Sequence, residues 1–149
     1  MAARFLVIAS RFNDLISKAL LSGAEDAFGE SGVQKQDVDV LWVPGCFELA
    51  TVAAKGAKTG AYAAVICLGA VIRGETPHFD YVAGQAAAGL QKVGIETGVP
   101  VIFGVLTTDT TEQALNRSGI KGGNKGADAA HAALQMVKTL SRLTEMTRR

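Results

Sequence analysis

One of the two histidines in this chain, His78, follows an apolar run and stands among charged residues that include Arg73, Glu75 and Asp80. An imidazole titrates near neutral pH, so a histidine in a loop can pass a proton to or from a bound molecule. A helix N-cap or a surface histidine explains the same position equally well. The other histidine, His131, lies in an alanine-rich segment of helical spacing, which favours a solvent-facing or packing role.

Basic residues alternate with glycines in a second segment. The basic residues are Arg117, Lys121 and Lys125, and the glycines are Gly119, Gly122, Gly123 and Gly126. Glycines let backbone N–H groups converge on an anion, and a guanidinium fork fits phosphate oxygens, so phosphate binding is one interpretation. A glycine-rich turn between two helices, with solvated lysines, is the other. The segment is not a P-loop, because Asn124 stands where that motif needs its second glycine, and no G-x-G-x-x-G follows the first strand.

Two phenylalanines, Phe12 and Phe47, stand just after predicted strands. A flat heteroaromatic ligand could stack on such rings, although each ring could instead cap the core. Glu48 begins a predicted helix, where its carboxylate could accept hydrogen bonds from ligand hydroxyls or favour the helix dipole. No metal is expected, because two isolated histidines and scattered carboxylates do not supply three ligands at a recognisable spacing.

Apolar spacing predicts the elements that position these residues. Four short runs rich in Val, Ile and Phe predict strands at 5–9, 38–43, 64–68 and 101–106, with helical segments between them. Right-handed crossovers then give an α/β fold, a three-layer α/β/α sandwich around an open, flavodoxin-like sheet of four parallel strands. Ligands of such sheets bind outside the carboxyl ends of the strands, so residues 11–13, 44–48, 71–78 and 106–110 form the expected site.

Five helices are expected between and after these strands. The first is capped near Asn13 and ends around Ser31 and Gly32, and the second covers residues 47–58. The third runs from about residue 78 to 96, and a short fourth helix ends at Asn116. The last helix carries an apolar stripe expected to face the core, formed by Ala129, Ala133, Met136, Leu140 and Leu143.

The composition is that of one ordinary domain over residues 1–149, with a net charge of +1 and 48% hydrophobic residues. A near-neutral chain lacks the basic excess that a nucleic-acid partner requires. Cys46 and Cys67 are too few for a disulfide scaffold and lack metal or redox spacing. The apolar run at 5–9 is too short for a signal peptide, and no run approaches the ~20 residues that span a bilayer. A cytoplasmic protein is expected.

Six segments carry a more specific pattern, in order and over nearly the whole chain. They are RFND at 11–14, LLSGAEDA at 20–27, WVPGCFELA at 42–50, LGAVIRGETPHFDYV at 68–82, PVIFGVLTTDTTEQA at 100–114 and NRSGIKGGNKGADAA at 116–130. Together they resemble the lumazine synthases (6,7-dimethyl-8-ribityllumazine synthases). The resemblance implies a transferase that condenses 5-amino-6-(D-ribitylamino)uracil with 3,4-dihydroxy-2-butanone 4-phosphate, the penultimate step of riboflavin biosynthesis. Phosphate and water are released, and no cofactor is expected.

The resemblance also implies a role for individual residues. His78 takes the proton-transfer position. The residues matched to the aminouracil are Phe12, Cys46, Phe47, Glu48, Ala70, Val71, Ile72 and Phe103. Those matched to the butanone phosphate are Glu75, Thr76, Arg117 and Lys125. Cys46 stands where alanine is common in the family, and Glu75 and Pro77 replace smaller or more polar residues; contacts made by backbone atoms would be little affected.

The implied assembly is a homopentamer whose active sites are shared, with Phe103, Arg117 and Lys125 reaching the site of the neighbouring subunit. The compact link at 118–126 lacks an insertion found in members that stop at pentamers, which favours an icosahedral capsid of pentamers. Riboflavin synthase is an implied partner. A non-catalytic flavin- or lumazine-binding module, or a shell component, would keep the same fold and pocket. A phosphoacceptor signalling domain needs an acidic cluster after the first strand, and Ser10 and Arg11 stand there instead.

Overall fold

The computed structural model of the chain describes residues 2–119 and 122–148. Strands and helices alternate in the order β1 (Phe5–Ser10), α1 (Asp14–Glu30), β2 (Val38–Val43), α2 (Leu49–Lys58), β3 (Ala64–Ile72), α3 (His78–Thr97), β4 (Val101–Thr108), α4 (Thr111–Arg117) and α5 (Lys125–Thr147). The strands pair in parallel in the order β2-β1-β3-β4. The predicted open parallel sheet is therefore confirmed. A 3-10 turn, Cys46–Glu48, replaces the first turn predicted for the second helix.

Successive side chains of a strand point to opposite faces, so β1 contributes to two cores. Phe5, Val7 and Ala9 pack into the core beneath α1 and α5, whereas Leu6 and Ile8 pack into the core beneath α2 and α3. All five are at most 2% exposed. Helices therefore cover both faces of the sheet, and the predicted three-layer sandwich is confirmed.

The last two strands extend further than their sequences predict. β3 continues past Leu68 to Ile72, and β4 runs on to Thr108, which pairs with Ile72. Gly69 does not end β3; it stays in the sheet and pairs with β4. Its missing side chain makes room, because a Cβ there would lie 2.4 Å from Ser10 Oγ and 2.7 Å from Cys46 Sγ. The strand thus carries residues 70–72 out to the edge of the sheet.

Helix ends are mostly as predicted. Gly98 ends α3 in the left-handed conformation, with φ 73°. Thr110 is the N-cap of α4 and forms a capping box with Gln113. Asn13 occupies the N-cap position of α1 as predicted, but its side chain bonds no N–H group of the helix. Asn13 instead adopts a left-handed backbone, with φ 63°, and its Nδ2 donates to the Ala70 carbonyl at 3.3 Å. It therefore ties the end of β1 to the end of β3.

The apolar stripe predicted on α5 is buried only in its first half. Ala129 and Ala133 are buried, whereas Met136 is 39% and Leu143 is 53% exposed. At a rise of about 1.5 Å per residue, the 23 residues of α5 span about 34 Å, which is longer than any strand of the sheet. The helix consequently runs past the core, and residues 141–148 are all exposed. None of the helices in the described ranges has the length and apolarity to cross a membrane.

Asn124 joins the start of α5 to α1. Its Oδ1 accepts from two N–H groups in the first turn of α5 at 2.8 and 3.1 Å, and its Nδ2 donates to the carbonyls of Ala19 and Ser118, both at 3.0 Å. The two helices approach so closely that a Cβ on Gly126 would lie 1.9 Å from the Leu20 carbonyl oxygen. Close packing of the two helices is therefore enough to explain why residue 126 is a glycine, and no bound anion is needed for that explanation.

Candidate active site

A cleft of about 710 Å³ opens at the carboxyl ends of β1, β2 and β3. β2 lies on one side of β1 and β3 on the other, so the direction of the chain across the sheet reverses here. Open parallel sheets bind their ligands at such a reversal. Nine residues singled out from the sequence line this cleft: Phe12, Cys46, Phe47, Glu48, Ala70, Val71, Ile72, Thr76 and His78.

Three aromatic rings stand exposed around the cleft. Phe12 is 72%, Phe47 59% and Tyr81 68% exposed. The backbone of Phe12 is nevertheless fixed, because its N–H donates to the Pro44 carbonyl at 3.0 Å. The N–H of the preceding residue, Arg11, donates to the carbonyl of Val43 at the end of β2, at 2.8 Å. The chain thus holds large apolar faces in solvent on an ordered support, an arrangement that suits a flat ligand.

Cys46 lies in the floor of the cleft and is only 4% exposed. Its thiol donates to Ser10 Oγ at 3.6 Å and to the Ala70 carbonyl at 3.9 Å. Burial raises the pKa of this thiol above its ordinary value of 9.0. Because a cysteine reacts as its thiolate, the neutral thiol is not an activated nucleophile. Cys46 therefore shapes the floor of the cleft.

His78 is the first residue of α3 and lies exposed at the rim of the cleft. Pro77 occupies the N-cap position, so the interpretation of His78 as the N-cap is wrong. The backbone N–H of His78 donates to Thr76 Oγ1 at 3.4 Å. The helix then places Tyr81 and Val82 on the same side as His78, and both line the cleft. An exposed imidazole at this rim can exchange protons with both the cleft and the solvent.

Four of the sequence-predicted site residues do not line the cleft: Glu75, Phe103, Arg117 and Lys125. Phe103 lies on the edge strand β4 and lines a separate groove against α3. Arg117 ends α4, where its guanidinium donates to the Gln113 carbonyl at 3.2 Å, and Lys125 begins α5. Lys121 lies outside the described residues. Within the described part of this glycine-rich segment, no cation reaches the cleft of its own chain.

In the described ranges, no three His, Cys, Asp or Glu side chains are grouped so that they could hold a metal ion. A family model for 6,7-dimethyl-8-ribityllumazine synthase matches residues 2–141 of the chain. The chain belongs to this family. The match takes in all the strands named above and every residue of the cleft lining, so the resemblance seen in the sequence segments is confirmed.

Lumazine synthases are enzymes, transferases of riboflavin biosynthesis that act on small molecules. The cleft of this family member has a suitable size, since pockets for small molecules typically measure about 300–1,000 Å³. It is also open, with exposed apolar rings beside a few polar groups.

Sequence reasoning missed several residues of this lumazine synthase cleft. Tyr81 and Val82 line it, and a signal was present, because a helix that starts at His78 must turn the residues three and four positions on to the same side. Asn13 was interpreted as a cap. Its bond to Ala70 joins residues 57 positions apart, and no local pattern contains that pairing.

Proposed function

We propose that this lumazine synthase family member condenses 5-amino-6-(D-ribitylamino)uracil with 3,4-dihydroxy-2-butanone 4-phosphate to give 6,7-dimethyl-8-ribityllumazine, phosphate and water. One observation carries the proposal: exposed aromatic rings, a carboxylate and His78 line a single cleft at the switch point of the sheet. This combination can hold a flat, hydroxylated heterocycle beside a group that moves protons.

The aminouracil would lie between the strand ends. Phe12 offers a ring for stacking, and Phe103 would complete the stack from the neighbouring subunit. Glu48, in the turn after β2, offers carboxylate oxygens to the ribityl hydroxyls. The backbone beyond Cys46 and along residues 70–72, which line the cleft, offers N–H and C=O groups to the edge of the uracil. These groups have the right chemistry because the substrate is flat at one end and rich in hydroxyls at the other.

The butanone phosphate would lie over the loop at residues 74–77. Thr76 lines the cleft there, and Glu75 would contribute through its backbone. The cations matched to this substrate, Arg117 and Lys125, are exposed and absent from the lining of their own chain. A phosphate clamp on this cleft therefore requires a second copy, which supports a homopentamer with shared sites, an icosahedral capsid being the further assembly proposed.

The chemistry consists of proton movements between nitrogen, carbon and oxygen. The amine attacks the ketone and water leaves to form an imine; phosphate is then eliminated, and attack on the second carbonyl closes the ring with loss of a second water. His78 is the proposed proton carrier for these steps. Because amines and ketones condense unaided, most of the acceleration comes from holding the two reactants together. No covalent nucleophile is needed, in agreement with the neutral, buried thiol of Cys46.

The assay follows the lumazine product by absorbance or fluorescence with both substrates and purified protein. We expect formation well above the spontaneous rate, and His78→Ala should lower kcat by about 100-fold. His131→Ala, which changes a histidine on α5, is the control and should retain full activity. Tight flavin binding without acceleration would instead identify a non-catalytic binding module and refute the proposal.

Arg117 is tested separately. Removing the guanidinium in Arg117→Ala should raise the KM for the phosphorylated substrate by about tenfold to 100-fold, while the KM for the aminouracil changes less than about twofold. Arg142→Ala, an exposed arginine on α5, is the matched control. Equal effects on the two KM values would show that Arg117 does not hold the phosphate.

Two further proposals concern the setting of the enzyme. The two cysteines are free and buried, which fits the reducing cytoplasm. Riboflavin synthase, which would consume the product, is the proposed partner enzyme. Co-sedimentation of the two purified enzymes would test that association.

A further inference from the structure

The side chain of Arg73 lies at the centre of three contacts beside the cleft. Arg73 directly follows β3, and its Nε donates to Asp109 Oδ1 at 2.8 Å. One terminal nitrogen lies 3.6 Å from Asp80 Oδ1. The guanidinium carbon also lies 4.4 Å from the centre of the Phe79 ring, within cation–π range. One planar group thus contacts two carboxylates and a ring at once.

These contacts close the loop that carries His78. Arg73 stands at the start of the loop, and Phe79 and Asp80 stand immediately after His78 in the first turn of α3. The third contact, Asp109, comes from beyond the end of β4, where its own N–H donates to Gln113 Oε1 at 2.8 Å. Through Arg73, both ends of the loop are therefore tied to the segment between β4 and α4.

The backbone supports the same anchor. The N–H of Arg73 donates to the Thr108 carbonyl at 2.8 Å, which continues the pairing of β3 with β4 by one residue. Beyond this point, the His78 N–H donates to Thr76 Oγ1 at 3.4 Å and the Asp80 N–H donates to the Pro77 carbonyl at 3.1 Å, so both bonds stay within the loop and the first turn of α3. The side chain of Arg73 consequently supplies contacts that join this segment to the residues after β4.

We propose that Arg73 is a positioning residue for this enzyme, one that fixes the loop at 74–77 and the imidazole of His78 over the cleft. The inference rests on the proposed function, and it adds a residue that does not line the cleft. Direct binding of the substrate phosphate by Arg73 is disfavoured, because Asp80 and Asp109 already place two carboxylates around one guanidinium. An anion would meet a net negative charge there.

The kinetic test compares Arg73→Ala, Arg73→Lys and Asp109→Asn with the unmodified enzyme. We expect Arg73→Ala to lower kcat about tenfold to 100-fold, the scale of a displaced catalytic group, and to leave the KM for the aminouracil within about twofold. Arg73→Lys should retain only part of the rate lost in Arg73→Ala, because an ammonium group lacks the planar fork with which the guanidinium contacts both carboxylates and the ring. Lys92→Ala breaks another exposed ion pair on α3, Lys92–Glu96, and should change neither constant.

Two further measurements separate positioning from general destabilisation. In a His78→Ala background, Arg73→Ala should lower kcat no further, since the positioned group is already absent. In hydrogen exchange of the intact protein, Arg73→Ala should speed exchange of the amides at 74–80 by about tenfold, whereas Lys92→Ala should not. A full additional loss of rate in the double variant, or unchanged exchange at 74–80, would overturn the inference. The hydrogen-exchange measurement does not depend on turnover. If the unmodified chain has no activity, the proposed function is refuted, and the exchange result still tests whether Arg73 fixes the loop.

Discussion

Asn124 offers the sharpest test of how this chain holds its helices together, because one amide makes four hydrogen bonds. Two are capping bonds to the first turn of α5, and two bridge to the Ala19 carbonyl of α1 and to the Ser118 carbonyl. Losing an N-cap costs about 1 kcal/mol. Each bridging bond contributes about 1 kcal/mol. We therefore expect Asn124→Ala to reduce the free energy of unfolding by about 3 kcal/mol.

Asn124→Asp separates the two roles of this side chain. An aspartate keeps the acceptor for the N–H groups of α5 but cannot donate to the Ala19 and Ser118 carbonyls. It should therefore retain the capping contribution of about 1 kcal/mol and lose the bridging contribution of about 2 kcal/mol. Thr110→Ala, which removes the N-cap of α4, is the matched control and should cost only about 1 kcal/mol.

Urea unfolding, at one protein concentration for every variant, measures these differences, because the subunit association proposed above would contribute to the apparent stability. A loss below about 1 kcal/mol for Asn124→Ala would refute the reasoning, since the cap alone accounts for that much. Equal stability of the aspartate variant and the unmodified chain would refute the bridging role. The first result would mean that close packing alone fixes the start of α5, and the second that the cap and the packing fix it without the bridging bonds.

Three further predictions follow from burial and exposure. Gly126→Ala places a Cβ 1.9 Å from the backbone oxygen of Leu20, which cannot rotate away. We expect the free energy of unfolding in urea to fall by at least about 2 kcal/mol, despite the better helix propensity of alanine. A stabilised variant would contradict this packing. Burial raises the pKa of the Cys67 thiol above its ordinary 9.0. Above pH 9 the folded state therefore keeps a proton that the unfolded state releases. The contribution of this thiol to the free energy of unfolding is present below pH 9 and is lost as the pH rises further. Stability should therefore fall above pH 9 by up to about 1.4 kcal/mol per pH unit for this thiol, and the fall should be shallower by that amount in Cys67→Ala; identical slopes would contradict the assignment. Phe47→Ala should raise the KM for the aminouracil about tenfold with little effect on stability. Ile95→Ala, which removes another exposed side chain (76% exposed), is the control and should leave this KM unchanged. A KM that does not respond to Phe47→Ala would exclude stacking on this ring.

Much of the fold was predictable because its determinants are local. Gly98 ends α3 in the left-handed conformation that a glycine adopts without strain, and Thr110 and Gln113 form a capping box within four residues. The strand runs were placed correctly at their starts. Their ends were less predictable: Gly69 looks like a break when taken alone, yet pairing with β4 keeps it in the sheet.

Much of the cleft was predictable for a related reason. Phe12 and Phe47 follow strands, and parallel strands bring their carboxyl ends to one edge, so the order of elements already placed these rings together. The bonds that fix the cleft were not predictable in this way. Asn13 reaches Ala70 across 57 positions, and Arg73 reaches Asp109 across 36.

By itself, the sequence determined the order of strands and helices, the two-sided sheet and the family, because hydrophobic period, caps and short motifs each act within a few residues of chain. Only the tertiary structure decided which polar side chains support the cleft and which half of α5 is buried. Asn124 and Ala19 lie 105 positions apart and meet only after α1 and α5 have packed on the same face of the sheet. Such contacts form between elements whose adjacency is set by the whole topology, so no stretch of the sequence contains them.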